Sequence, residues 1–192
     1  MNVFDFDNTI YNGESAVDFF MYYLKKDKTL IKNLPQLFIA IIKYKAGKIS
    51  IEEAINKYGK KVTEYYLKMA SNGTVISEDC EDFWNTHMHK IKPFYNDIKQ
   101  DDDIIISCSP EFSLKVICGR LGIKKYIGTE FDEKTGEFTR LCFRENKVKA
   151  FLSQYPDSQI DNFYTDSMND KPLMDISKNV YLVKGRKIRK IK

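Results

Sequence analysis

Continuous apolar runs bounded by polar residues recur along the chain and are typical of strands buried on both faces of a parallel sheet. They predict strands at residues 1–8, 104–108, 163–165 and 180–183. Helical periodicity covers residues 110–121 and 147–154, and residues 125–138 have the pattern of a strand and hairpin turning at Thr135-Gly136. Because strand and helix alternate, we expect an α/β fold with a Rossmann-like, doubly wound and mostly parallel sheet.

Residues 13–92 differ, because their apolar positions recur at helical spacing and no stretch reads convincingly as a strand. Ser15 is a candidate N-cap for a helix over residues 16–26, and Ser50 and Glu53 have the spacing of a capping box. Further helices are predicted over residues 34–46, 50–58, 61–70 and 77–90. We therefore expect an α/β core of residues 1–12 and 93–192, with an α-helical cap of residues 13–92 inserted after the first strand.

Length and composition indicate a globular protein. The 192 residues, 43% of them hydrophobic, suffice for one full domain and a modest insertion. The longest apolar segment, residues 34–42, is too short to span a membrane, and no leader peptide is visible at the amino terminus. The four cysteines are scattered without a CxxC pair, which favours reduced thiols over disulfides or a zinc site. We expect a soluble, cytoplasmic protein.

The net charge of +4 is concentrated at the carboxyl terminus, where six of the nine residues 184–192 are basic and none is acidic. The rest of the chain is therefore mildly acidic. Short basic ends are usually frayed and solvated, and that is the interpretation we favour here. The alternative is weak contact with an anionic membrane surface, and no nucleic-acid partner is expected.

The most informative short segment is Asp5-Phe6-Asp7-Asn8-Thr9 at the end of the first predicted strand. Side chains at i and i+2 point to the same side of a strand, and the carboxyl ends of parallel strands border the crevice where such sheets bind ligands. One carboxylate placed there can attack a phosphoryl group while the other moves a proton. Alternatively, the two acids merely end the strand and cap the turn.

Ser107 ends the second predicted strand just before a helix, where a hydroxyl and free N–H groups form an anion site. An ordinary helix cap explains Ser107 equally well. Lys147 lies at the start of a later helix and can offer a point charge to phosphate. With 31 basic residues in the chain, Lys147 carries little weight by itself.

Asp166 and Asp170 follow the third predicted strand and, with Asp5, make a hard-oxygen set of ligands. Such a set suits Mg²⁺ better than zinc, and Mg²⁺ also bridges phosphate oxygens. A polar turn before a helix is the simpler explanation of this loop alone. It does not explain why every candidate strand ends in a group usable for phosphoryl transfer.

Taken in order, these motifs resemble the haloacid dehalogenase-like hydrolases, and SCSPE, ENK and YTDSMND resemble the phosphoserine phosphatase-like branch of subfamily IB type. The resemblance implies that Asp5 is the nucleophile and forms an aspartyl-phosphate, and that Asp7 is the general acid and base. It implies Mg²⁺ at Asp5, Asp166 and the main-chain carbonyl of Asp7. It further implies phosphate contacts from Thr9, Ser107 and Lys147, with Asn169 and Asp170 orienting the metal ligands.

The expected activity is hydrolysis of a small phosphorylated metabolite. Glu14 lies where phosphoserine phosphatases place a glutamate that reads the substrate amine, so it is a candidate substrate contact. Phosphoserine is nevertheless disfavoured, because the five arginines all follow Ser107 and none lies in the predicted cap. The apolar and basic stretch of residues 35–48 leaves a lipid head-group phosphatase open. A phosphotransferase and a non-catalytic ligand-binding homologue also remain open. The sequence does not indicate the oligomeric state.

Overall fold

The computed structural model describes residues 1–26, 28–33, 35, 39–40, 42–43, 46–54, 57, 74–132 and 138–192. The strands in this part of the chain are β1 (Asn2–Phe4), β2 (Ile104–Pro110), β3 (Lys125–Phe131), β4 (Phe138–Arg140), β5 (Asn162–Thr165), β6 (Asn179–Lys184) and β7 (Lys187–Lys190). They form one sheet in the order β4-β3-β2-β1-β5-β6-β7. The five inner strands are parallel, and the edge strands β4 and β7 are antiparallel to their neighbours. The predicted doubly wound, mostly parallel sheet is confirmed.

The described α-helices are α1 (Ser15–Lys26), α2 (Ile51–Ala54), α3 (Thr74–His87), α4 (Phe94–Ile98), α5 (Glu111–Leu121), α6 (Glu145–Gln154) and α7 (Lys171–Ile176). Short 3₁₀ helices cover Lys28–Asn33, Met88–Lys90 and Met168–Asp170. The predicted capping box is present, because the amide of Ser50 donates to the Glu53 carboxylate and the amide of Glu53 donates to Ser50 Oγ. The predicted helix over residues 61–70, most of that over 34–46 and the turn at Thr135-Gly136 lie outside the described residues.

Apolar side chains cover both faces of the sheet, as continuous apolar strands require. Along β2, Ile105 packs on one face, and Ile104 and Ile106 pack on the other. The first face is aromatic-rich and includes Phe4 and Trp84. Phe4 stacks on Tyr164 of β5, with ring centroids 4.7 Å apart. This double-sided core holds the carboxyl ends of β1, β2 and β5 at one edge of the sheet.

The first strand is shorter than predicted, since β1 ends at Phe4 and not at residue 8. Beyond Phe4 the chain leaves the strand direction, because a single carbonyl group accepts hydrogen bonds from several of the amides that follow. The carbonyl of Phe6 accepts hydrogen bonds from the amides of Thr9, Ile10 and Tyr11, and Asn8 adopts a left-handed φ of 57°. The two acids of the motif therefore lie in a tight loop just beyond β1.

The basic carboxyl terminus is not frayed, so that expectation was wrong. Residues Lys187–Lys190 form β7, an antiparallel edge strand paired with β6. Gly185, with a φ of 60°, and Arg186 form the two-residue turn between Lys184 and Lys187. All four β7 side chains are exposed. The strand therefore owes its order to backbone pairing with β6 and not to burial of its own side chains.

The described part of residues 13–92 contains helices and no extended strand, and its first and last long helices pack on the sheet. Phe19 and Tyr23 of α1 and Phe83 and Trp84 of α3 are buried in the same apolar cluster as Phe4. The Trp84 indole N–H donates to the carbonyl of Ser113 in α5, at 3.2 Å. The division into core and cap stays a prediction. No helix within the described residues is long and apolar enough to cross a bilayer.

Candidate active site

The loop after β1 brings Asp5 and Asp7 to the edge where β1 lies between β2 and β5. The amide of Asp5 donates to the carbonyl of Tyr164 at 2.9 Å, which extends the pairing with β5 by one residue. Between the two acids, Phe6 is fully buried in the core. Anchored by the Phe6 side chain and carbonyl, the loop holds both carboxylates at the predicted ligand crevice.

Asp5 belongs to a buried ionic group that we call the Lys147 cluster, comprising Asp5, Lys147, Asp170 and Thr165. Lys147 Nζ, in the first turn of α6, lies 2.8 Å from Asp5 Oδ1 and 2.8 Å from Asp170 Oδ1. Thr165 Oγ1, at the end of β5, donates to Asp170 Oδ2 at 2.7 Å. Three separate chain segments thus converge on one ammonium group.

The charges of the Lys147 cluster do not balance. Burial raises the pKa of Asp5 to about 8, with the charge of Asp170 adding to this effect and the attraction of Lys147 opposing it. Burial alone would lower the pKa of Lys147, but the two carboxylates outweigh it and raise that pKa. One ammonium group therefore faces two carboxyl groups, and additional positive charge beside Asp5 would favour its ionised form.

Asp7 is held by a second group that we call the serine cluster, comprising Asp7, Ser15, Ser107 and Ser109. The amide of Ser15 donates to Asp7 Oδ1 at 2.7 Å, and Ser109 Oγ donates to Asp7 Oδ2 at 2.5 Å. The hydroxyls of Ser15 and Ser109 lie 3.0 Å apart, and the amide of Ser109 donates to Ser107 Oγ at 3.1 Å. Burial raises the pKa of Asp7 despite these hydrogen bonds.

Ser109, which is 2% exposed, was not predicted as a site residue from the sequence. The available signal was its spacing from Ser107, since residues two apart share a side of extended backbone. The backbone of β3 at Gly128 packs closely against the turn that contains Ser109. A Cβ added to Gly128 would lie 2.9 Å from the carbonyl oxygen of Ser109 and 2.9 Å from Cα of Glu111. Only glycine fits there without a shift of backbone.

The remaining predicted site residues lie around the same crevice. Thr9 is fully buried, and its hydroxyl is 3.4 Å from Asp5 Oδ2. Glu14 accepts a 2.6 Å hydrogen bond from the side chain of Asn8. Burial raises the pKa of Glu14, and the charges of Asp7 and Asp166 raise it further.

The loop after β5 supplies Asp166 and Asn169. The carbonyl of Asp166 accepts a hydrogen bond from Lys184, and burial raises the pKa of its carboxyl group. The Asn169 side-chain oxygen accepts a 3.4 Å hydrogen bond from the Arg144 guanidinium, and the backbone amide of Asn169 donates to Ser167 Oγ. No contact of Asn169 with Asp166 is present among the described residues, so its role beside a metal stays a prediction.

The donors of the crevice suit a hard divalent cation, because they are carboxylate and carbonyl oxygens. Within the described residues, however, no three carboxylate, thiol or imidazole side chains are grouped as a complete cage. Mg²⁺ needs no such cage, since it commonly takes one or two carboxylates and completes its octahedron with water and phosphate oxygens. Asp5, Asp166 and the Asp7 carbonyl therefore fit it chemically.

Residues 3–175 match the family model described as haloacid dehalogenase-like hydrolase. No curated protein sequence matched the chain.

Several solved structures are similar in fold. A protein with unknown function from Bordetella pertussis Tohama I has a TM-score of 0.74 and 19% identity, over 94% of this chain and 87% of that chain. A phosphoserine phosphohydrolase-like protein from Francisella tularensis subsp. tularensis SCHU S4 has a TM-score of 0.59 and 17% identity, over 94% and 86%. A phospho-aspartyl intermediate analogue of phosphoserine phosphatase has a TM-score of 0.50 and 13% identity, over 93% and 83%. These likenesses show the fold.

Proposed function

We propose that this chain, which belongs to the haloacid dehalogenase-like hydrolase family, hydrolyses phosphate monoesters through an aspartyl-phosphate on Asp5. The single observation that supports this most is the position of Lys147, which is buried and lies 2.8 Å from both Asp5 and Asp170. A carboxylate can attack an anionic phosphate only if nearby positive charge reduces their repulsion. The Lys147 ammonium supplies that charge at Asp5 itself.

In the first step, an oxygen of Asp5 bonds to phosphorus while the bond from phosphorus to the ester oxygen breaks. The leaving alcohol takes a proton from Asp7. The raised pKa of Asp7 favours the protonated form that this step requires. Thr9 and Ser107, both buried beside the acids, are the proposed donors to the transferring oxygens together with Lys147.

In the second step, Asp7 accepts a proton from water as the water oxygen attacks phosphorus. The bond from phosphorus to Asp5 breaks, inorganic phosphate leaves and the Asp5 carboxylate is restored. The same carboxyl group thus donates a proton in one half-reaction and receives one in the other. The hydrogen bonds from Ser15 and Ser109 hold Asp7 in one orientation for both halves.

The proposed cofactor is Mg²⁺, held by Asp5, Asp166 and the main-chain carbonyl of Asp7. When bound, Mg²⁺ stabilises negative charge on the phosphoryl oxygens. Asp170 has one oxygen on Lys147 and the other on Thr165, so its role is to position Lys147. Asn169 is retained as a candidate for orienting the metal ligands.

The proposed substrate is a small phosphorylated metabolite, and phosphoserine stays disfavoured. Arg120 is engaged by Glu81, and Arg140 pairs with Glu111 and Glu130, so these arginines are committed elsewhere. Glu14 borders the crevice and is the candidate contact for a polar group of the leaving alcohol. We place the reaction in the cytoplasm, and the four free cysteines suit its reducing conditions.

The test is hydrolysis of p-nitrophenyl phosphate with Mg²⁺, comparing the wild type with Asp5→Asn and with an EDTA-treated sample. We expect turnover by the wild type, and a loss of about a thousandfold or more in the other two. Equal activity of wild type and Asp5→Asn would contradict the proposal. Analysis of products with added alcohol separates hydrolysis from phosphotransfer, since a transferase forms a new ester instead of inorganic phosphate.

A further inference from the structure

A cavity of about 740 Å³ lies beside the proposed active site, at the edge of the sheet where β6 turns into β7. It is large enough for a small ligand. Its polar lining comprises Asn12, His89, Lys90, Lys92 and Arg186. The described residues that line it include no carboxylate. The cavity is therefore suited by charge to an anion.

Two of its cations form no salt bridge within the described residues. Lys92 is 8% exposed and donates to the carbonyl of Asn8; burial lowers its pKa, and the negative charge of Asp166 opposes that effect. Arg186 is exposed at the hairpin turn and makes no hydrogen bond or ion pair within the described chain. Lys90, by contrast, is already paired with Asp18. An anion between Lys92 and Arg186 would pair with two cations that form no salt bridge within the described residues.

Residues in or next to the cavity lining contact both loops of the proposed active site. Lys92 binds the carbonyl of Asn8, next to Asp7 in the chain. Lys184, which precedes the turn at Gly185, binds the carbonyl of Asp166. The cavity thus adjoins the main chain of residues that border the crevice.

We propose that this cavity binds a second anionic group of the phosphate or phosphonate type, held by Lys92 and Arg186. The group belongs either to the far end of a substrate with two anionic groups or to a separate effector. The binding site itself does not depend on the phosphatase proposal, and only the assignment to a substrate rests on it. The ordered β6–β7 hairpin thereby gains a role, because it presents Arg186 at the cavity.

The probe is methylenediphosphonate, which carries two phosphonate groups on a bridge that is not hydrolysed. Its binding is measured by isothermal titration calorimetry without divalent metal, for the wild type, Arg186→Glu and Arg189→Glu. Arg189 is a matched control, since it is an exposed arginine of the same hairpin that does not line the cavity. We expect Arg186→Glu to weaken binding by about tenfold or more and Arg189→Glu by less than about twofold.

Equal weakening in the two variants would overturn the proposal, because it would indicate only the general positive field of the hairpin. Unchanged binding in Arg186→Glu, or no binding by the wild type, would also overturn it. In parallel, Arg186→Glu should hydrolyse p-nitrophenyl phosphate at the wild-type rate. If neither the wild type nor the variants hydrolyse that ester, the proposed function is wrong, and the calorimetric result still decides whether the cavity binds an anion.

The two sources of the anion are separated by inhibition kinetics. Methylenediphosphonate that competes with p-nitrophenyl phosphate in an Arg186-dependent manner supports a substrate with a second anionic group. Arg186-dependent binding without competition supports a separate effector. Both results retain the cavity as an anion site.

Discussion

The Lys147 cluster and the serine cluster hold two neighbouring carboxylates by opposite means. Asp5 faces a buried ammonium group, whereas Asp7 is held by a backbone amide and a serine hydroxyl, both neutral. Burial raises the pKa of both carboxyl groups, to about 8 for Asp5, where the charge of Lys147 opposes the rise; at Asp7 the hydrogen bonds from neutral donors oppose it. The proposed roles require different forms, since a nucleophile must be ionised and a general acid must carry a proton, and the cation beside Asp5 favours the ionised form there.

The two clusters also differ in where their members lie. Lys147 lies in α6, Thr165 ends β5 and Asp170 ends the 3₁₀ helix Met168–Asp170, so the first cluster is built within the sheet and its own helices. The serine cluster includes Ser15, the first residue of α1, which begins the predicted cap. The setting of Asp7 therefore depends on how α1 sits against β2, and the setting of Asp5 does not.

The largest expected effect comes from removing the cation of the first cluster. Lys147→Met leaves Asp5 and Asp170 facing each other unpaired in a buried site, so we expect unfolding to become easier by about 3–5 kcal/mol and turnover to be lost. Urea unfolding followed by fluorescence of the single tryptophan, the buried Trp84, measures this.

The control for this experiment is Lys171→Met, since Lys171 pairs with Asp175 on the exposed surface. It should change stability by less than about 0.5 kcal/mol. Equal free energies of unfolding for the two variants would mean that Lys147 does not hold the two buried carboxylates together.

A smaller effect is expected where β3 supports the serine cluster. Gly128→Ala places a Cβ against the carbonyl of Ser109 and the backbone of Glu111, so we expect a loss of about 1–3 kcal/mol. Gly119→Ala, inside α5 with nothing within 4 Å of the added carbon, should instead stabilise by about 0.5–1 kcal/mol. Thermal unfolding compares them, and the same sign for both would refute the close approach at Gly128.

The smallest effect tests Asp7 alone. Ser109→Ala removes the hydroxyl that donates to Asp7 Oδ2, and we expect kcat for p-nitrophenyl phosphate to fall by about tenfold with KM changed by less than about twofold. Ser153→Ala, an exposed position on α6, is the matched control. A loss confined to KM, or one equal to that of Ser153→Ala, would show that Ser109 does not position the general acid.

The sequence predicts the Lys147 cluster better than the serine cluster, for a physical reason. Asp5, Lys147 and Asp170 follow or begin elements whose apolar periodicity is strong, and parallel strands bring their carboxyl ends to one edge. Ser109 has no such signal. Its contact with Asp7 depends on the backbone turn after Ser107 and on the close approach of Gly128, which are tertiary features.

The two wrong predictions about the fold have one cause, because in both segments backbone hydrogen bonds determine the secondary structure. Residues 5–8 look like a strand by composition, yet the carbonyl of Phe6 gathers three amides and ends it. Residues 187–190 look like a solvated tail, yet pairing with β6 orders them as a strand. The pattern of side chains along the sequence indicates neither set of backbone hydrogen bonds.

The most direct measurement of the central claim is to trap the phosphoryl group. The wild type is mixed with p-nitrophenyl phosphate and Mg²⁺, quenched in acid within the first turnover and digested for mass spectrometry. We expect a peptide containing Asp5 that is heavier by one phosphoryl group, and no such peptide from Asp5→Asn. Steady turnover with an unmodified Asp5, or with the phosphoryl group on another residue, would contradict it.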